Sequence, residues 1–176
     1  TGALNDAGIG QTYNLPLARN LNDTEMAHIL DHLILPLIDQ MAPDALVLQC
    51  GADAVEEDPL SRLTLSNNAH WAIIHALKDA APRVLVLGGG GYNPWSVGRL
   101  WTGVWATLNG QDIPDRLPPT AQDVLHALTW DNHSRGKSPP KHWFTTLRDA
   151  PRPGPIRSET QDRVAHLAAR PRFFGS

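Results

Sequence analysis

The sequence predicts an α/β fold built on a parallel sheet. Ala45-Leu46-Val47-Leu48-Gln49-Cys50 and Val84-Leu85-Val86-Leu87 are short apolar runs. The second has no polar alternation, as in a strand buried on both faces of a sheet, and the first repeats its design. Both stop at glycine, and longer stretches of helical period lie between and after them. The third observation is the pair of polar groups just past the two runs. Gly51-Ala52-Asp53 puts a carboxylate beyond the first strand, and Gly88-Gly89-Gly90-Gly91-Tyr92 puts a phenol beyond the second. Ligands bind at that carboxyl edge in open α/β sheets. Four glycines exceed the needs of a turn and let backbone approach a ligand closely. A carboxylate suits a divalent metal, and a phenol suits a developing oxyanion, so Asp53 and Tyr92 are read as one site.

In chain order, residues 1–12 are loop, and Tyr13 to Leu17 is expected to be a short strand whose Pro16 puts it at an edge. Asn22-Asp23-Thr24-Glu25 starts a helix from Thr24 to Met41, which Pro36 is expected to kink. His28 and His32 are four residues apart on it, a spacing that can bind zinc. They lie opposite the apolar stripe and are read as a solvated face. The acids Glu56, Glu57 and Asp58 are likewise read as a solvated loop. A helix is expected from Asn67 to Ala80, with His70 and His75 as ordinary helix residues. Pro94 opens a helix to Leu108 whose tryptophans 95, 101 and 105 are read as core. Further helices are expected at 121–128, 141–148 and 159–169, separated by proline-rich loops.

A chain of 176 residues can bury one full core. No apolar run approaches the roughly 20 residues that span a bilayer, and Thr1 to Gly10 is no secretory signal. Cys50 is the single cysteine and excludes an internal disulfide. The chain is read as cytoplasmic, without a membrane. A net charge of −3 argues against direct nucleic-acid binding. Residues 1–130 hold 6 Lys and Arg against 14 Asp and Glu, whereas residues 131–176 hold 9 against 4. The basic, proline-rich tail is read as an extension folding back on an acidic body, the rival being a patch for an acidic partner.

Gln49-Cys50-Gly51-Ala52-Asp53, Asp58-Pro59-Leu60, Gly88 to Tyr92, Arg99 and Trp101 together resemble the C-terminal half of the zinc-dependent histone deacetylase family. Within it the chain most resembles the bacterial acetoin-utilisation branch. The resemblance covers about residues 1–130 and implies a three-layer arginase/deacetylase-like α/β domain, present in part. Residues 131–176 would be its C-terminal extension, ending in a helix. The implied activity is zinc-dependent hydrolysis of an acetyl amide, on N-acetyl-lysine or a related acetylated amine. By resemblance Asp53 is a zinc ligand and Tyr92 the catalytic oxyanion donor. Leu60, Gly90 and Gly91 line the acyl-lysine tunnel, and Arg99 is a structural support that holds the glycine loop through an ion pair. The family's Asp-x-His ligands and tandem-histidine base lie upstream of Thr1. The chain is therefore expected to be a fragment, inactive alone, whose first partner is the missing N-terminal half. Asp131 and His133 have the bare ligand spacing, but no apolar strand precedes them.

Three rivals stand beside this reading. One is an acetylpolyamine or small-amide amidohydrolase of the same superfamily. Another is a non-catalytic interaction domain, against which retention of both Asp53 and Tyr92 counts. The third is a nucleotide-binding domain, but Gly88 to Gly91 lacks the spacing and the Lys-Ser/Thr of phosphate loops. A homo-oligomer stays open.

Overall fold

The computed structural model describes residues 2–8, 12–129 and 139–170. Asn22 caps helix α1 (Asp23–Ile29) in a capping box with Glu25. A π-helical turn, Leu30–Ile34, then leads into α2 (Leu35–Met41). The expected kink takes this form because Pro36 has no N–H to give. The Leu35 N–H reaches back five residues to the Leu30 carbonyl, so the irregularity is absorbed just before the proline.

Strands β1 (Leu46–Gln49) and β2 (Val84–Leu87) pair in parallel, with Leu46 opposite Val84 and Gln49 opposite Leu87. Helix α3 (Asn67–Leu77) connects them, and α4 (Pro94–Leu108) comes after β2. Leu48 and Val86 pack on a core that includes Trp71, Ile74, Leu100 and Val104. The opposite face carries Val47, Leu85 and Leu87, which are 61%, 55% and 43% exposed. The expected burial of both strand faces is met on one face among the described residues. Side chains alternate across a strand, and here the core of α3 and α4 covers one side.

The two helices meet at Trp71. Its indole N–H donates to the Leu100 carbonyl at 2.9 Å, and a Cβ at Gly103 would overlap its ring. Gly98, on the same helix, has open space around it.

The tail is built into the body. α5 (Pro119–Ala127) precedes it, a 3-10 turn spans Lys141–Phe144, and α6 (Ser158–Ala168) closes the described chain. The expected helix over 141–148 stops after that turn because the next residues are bound elsewhere. Thr146 and Leu147 give their carbonyls to Arg99 and Asn67, and the Asp149 carboxylate accepts from Arg99 Nη1 at 2.6 Å and from the Asn67 N–H at 3.0 Å. Burial pushes the Arg99 guanidinium below its ordinary value, and Asp149 opposes that. Val164 and Leu167 join Leu21, Ile29, Leu33 and Leu65 in a second core. Residues 13–17 form no strand. Arginines of the tail reach this stretch instead: Arg170 Nη1 donates to the Thr12 carbonyl, Arg163 Nη1 to Pro16 and Arg157 Nη1 to Arg19. No helix among the described residues is long and apolar enough to cross a membrane.

Glu25 is fully buried and accepts from Arg157 Nη2 at 2.6 Å and Thr160 Oγ1 at 2.5 Å. Burial alone would raise its pKa. The hydrogen bonds from Arg157, Thr160 and Asn22 outweigh burial and hold it at about 2, against 4.5 ordinarily.

This packing generates two expected outcomes. Gly103→Ala should cost about 1–3 kcal/mol by overpacking the indole, whereas Gly98→Ala should gain about 0.5–1 kcal/mol of helix propensity. Urea unfolding midpoints of the two variants should move in opposite directions. Glu25→Gln should cost about 1.5–3 kcal/mol at neutral pH, since it weakens the hydrogen bonds of a buried carboxylate to the partly exposed Arg157 and to Thr160. A lowered folded-state pKa stabilises above the unfolded value and is lost as pH falls through the folded one. The gap between wild type and variant should therefore close between pH 4.5 and about 2, which denaturation at graded pH would show.

Candidate active site

The site grows out of the strand register. Beyond the ends of β1 and β2 the two chains stay hydrogen-bonded: the Cys50 N–H donates to the Leu87 carbonyl at 2.8 Å and the Ala52 N–H to the Gly90 carbonyl at 2.6 Å. This continuation brings the turn holding Asp53 against the glycine loop holding Tyr92. Asp53 sits in a 3-10 turn, Ala52–Ala54. Its carboxylate lies over Gly90, where a Cβ would overlap it, and an added Cβ on Gly51 would stand 2.6 Å from Oδ1. Gly91 has φ +153°, and a Cβ there would come within 2.6 Å of Val97. The glycines thus let two loops touch, and the room beside Gly90 is taken by Asp53 itself.

Tyr92 is 50% exposed and Leu60 56% exposed, both at this edge. Their backbones meet at Asp58, which is 4% exposed. One Asp58 oxygen accepts from the Leu60 N–H at 2.9 Å, the other from the Tyr92 N–H at 2.6 Å. Next to Tyr92, Asn93 caps α4 through its side-chain oxygen and donates its amide to the Glu57 carbonyl at 3.2 Å.

His70 lies beneath the Asp53 turn, with Nε2 at 3.1 Å from the Gly51 carbonyl. A carbonyl can only accept, so Nε2 carries the proton. Burial pushes the imidazole below its ordinary value, against the Gly51 bond and the charges of Asp23 and Asp53.

The acidic loop is the main correction. It is not a solvated run: Asp58 is buried, and Glu56 and Glu57 pair with Arg152 of the tail. His70 is a second, a buried group in contact with the site rather than an ordinary helix residue. The signals were faint. Asp58 stands in the Asp-Pro-Leu stretch that carried the resemblance, and Asn93 precedes a helix-opening proline. His28 and His32 contact each other edge to edge, with ring centroids 4.3 Å apart. Asp131 and His133 lie outside the described residues.

Arg99 is one turn into α4 from the site and is buried. Its ion pair is with Asp149, and its guanidinium lies 5.0 Å from the Trp143 ring centroid. What it grips is the tail.

Zinc takes three or four protein ligands. Among the described residues no three His, Cys, Asp or Glu side chains converge on a metal position. Asp53 fits as a single carboxylate donor, and a complete zinc site needs ligands from beyond these residues.

The packing at Gly90 can be checked directly. Gly90→Ala should destabilise by about 1–3 kcal/mol, because a fixed turn and a carboxylate must move. Gly88→Ala meets only ordinary contact with Trp101 at 3.5 Å and should be near neutral in the same urea titration.

Comparison with known proteins bears on the same stretches. The histone deacetylase domain model matches residues 1–108. Putative histone deacetylase 2 of Caenorhabditis elegans is 32% identical over 125 residues, 69% of this chain and 25% of that protein. Probable histone deacetylase 1-B of Xenopus laevis is 34% identical over 122 residues, 67% of this chain and 25% of that protein. The crystal structure of an HDAC homologue from Aquifex aeolicus superposes with a TM-score of 0.81 at 31% identity, covering 92% of this chain and 43% of that one. A second structure, an HDAC homologue complexed with SAHA, matches with the same figures. The chain spans about a quarter of the length of the curated relatives it matches. The matched residues 1–108 include both strands, and the chain belongs to the histone deacetylase family.

Proposed function

We propose that this chain is the C-terminal part of a zinc-dependent amide hydrolase that removes acetyl groups from N-acetyl-lysine or a related acetylated amine. The observation that carries this is the joined edge of the sheet. The turn that carries Asp53 and the glycine loop that ends in half-exposed Tyr92, 39 residues apart in sequence, are held together by backbone bonds running on from the strand register.

Each residue then has a task. Asp53 would be one ligand of a zinc whose other ligands, and whose general base, would come from sequence outside this chain. A zinc held there would polarise the acetyl carbonyl and activate water. Tyr92 donates its phenol proton in a hydrogen bond to the oxygen that gains charge as the amide carbon becomes tetrahedral. Exposed Leu60 offers an apolar wall to the substrate stem, and Gly91, where a Cβ would meet Val97 and Ala52, lets the loop before Tyr92 pack closely. Arg99 keeps α4 and the tail in place behind the loop. Within the family, the acetoin-utilisation branch is the relationship we propose, with a cytoplasmic setting.

The test uses the complete catalytic domain containing this chain. Tyr92→Phe should lower kcat by about a hundred- to a thousandfold, the effect of one oxyanion donor. Asp53→Ala should lose zinc, read as metal per mole of protein. Turnover of acetyl-lysine peptide against acetylated polyamine settles the substrate. Full activity in Tyr92→Phe would overturn the assignment. The 176-residue chain alone should be inactive and bind less than one zinc.

A further inference from the structure

We infer that Asp58 is a positioning residue that sets Tyr92 and Leu60 relative to each other. This rests on the deacetylase reading of Tyr92 and Leu60. The acidic loop holds an oddity. Three consecutive acids would be expected in water, yet the third is buried. A buried carboxylate is costly unless its oxygens are satisfied. Those of Asp58 are satisfied by backbone donors from two different loops: Leu60 N–H at 2.9 Å on Oδ1 and Tyr92 N–H at 2.6 Å on Oδ2.

The bond to Leu60 is local, a two-residue Asx turn that folds the chain around Pro59. The bond to Tyr92 spans 34 residues and is short, as charge-assisted bonds are. One side chain therefore fastens the backbone of the proposed tunnel wall to the backbone of the proposed oxyanion donor. The glycines before Tyr92 make this necessary. Gly88 to Gly91 carry no side chains that could pack the loop in place, so Tyr92 needs an anchor of its own. Asn93, bound to the Glu57 carbonyl, doubles the link one residue further on. Asp58 is 4% exposed and faces backbone from both loops, not substrate, which makes it a positioning residue and not a catalytic one.

Asparagine at position 58 keeps the shape but turns one acceptor into a donor facing an N–H. Amide hydrogen exchange on the 176-residue chain reads the fastener without any activity. In wild type the Tyr92 and Leu60 amides should be protected. In Asp58→Asn the amide left facing the new NH2, that of Tyr92 or of Leu60, should exchange at least tenfold faster, while Leu48 in β1 and Leu100 in α4 keep their protection. Unprotected Tyr92 in wild type, or unchanged rates in the variant, would overturn the inference. If the variant does not fold, the wild-type measurement still decides. In the complete catalytic domain, Asp58→Asn should lower kcat tenfold or more, but less than threefold in a Tyr92→Phe background. Full additivity of the two substitutions would mean that Asp58 does not act through Tyr92. A wild-type domain that hydrolyses no acetyl amide overturns the deacetylase reading, and the exchange result still decides whether Asp58 is the fastener.

Discussion

Everything at the candidate site depends on the register of two four-residue strands. Parallel pairing of Leu46 with Val84 sets the carboxyl ends of both strands level. The next bonds along, Cys50 to Leu87 and Ala52 to Gly90, extend that alignment into the loops. A slip of one residue would turn every side chain to the opposite face. Leu48 and Val86 would then leave the core, and Asp53 would no longer lie over Gly90. Hydrophobic burial against α3 and α4 thus specifies the register, and the register brings the polar groups together. The same contacts that stabilise the sheet do the positioning.

A second layer of restraint surrounds the loops and is polar. Asp58, His70 and Asn93 each bind backbone of the site rather than another side chain. Backbone is the sensible target, since Gly51 and Gly88 to Gly91 offer nothing else. The glycine loop is thus held without rigid side chains of its own, and an exposed Tyr92 can still stand at a defined place.

What was legible in the sequence was local. Apolar runs ending in glycine fall within a few residues of Asp53 and Tyr92, so strand, turn and candidate group could be read together. Asp58 was unreadable because its partner lies 34 residues away, and its neighbours Glu56 and Glu57 suggested a wet loop. His70 was missed for the same reason, its acceptor being 19 residues back. Burial of both strand faces was a reasonable reading of Val84 to Leu87. Which faces are covered, however, depends on what packs above and below, and a strand's own composition does not carry that. The segment at 13–17 misled differently. Its alternation was real, but its neighbours are arginines of the tail, more than 140 residues downstream, and not a strand.

The buried Arg99–Asp149 pair has a consequence in time. Both strands, α3 and α4 are synthesised well before residue 149. Arg99 meets Trp143, Thr146 and Asp149 of the tail, so its guanidinium stays open to water until the tail covers it and brings the countercharge. Asp149 also takes the N–H at the start of α3, so one late carboxylate completes two early helices. Until the last quarter of the chain arrives, Arg99 is hydrated and the start of α3 lacks the Asp149 acceptor. Once formed, the pair ties the tail to both helices.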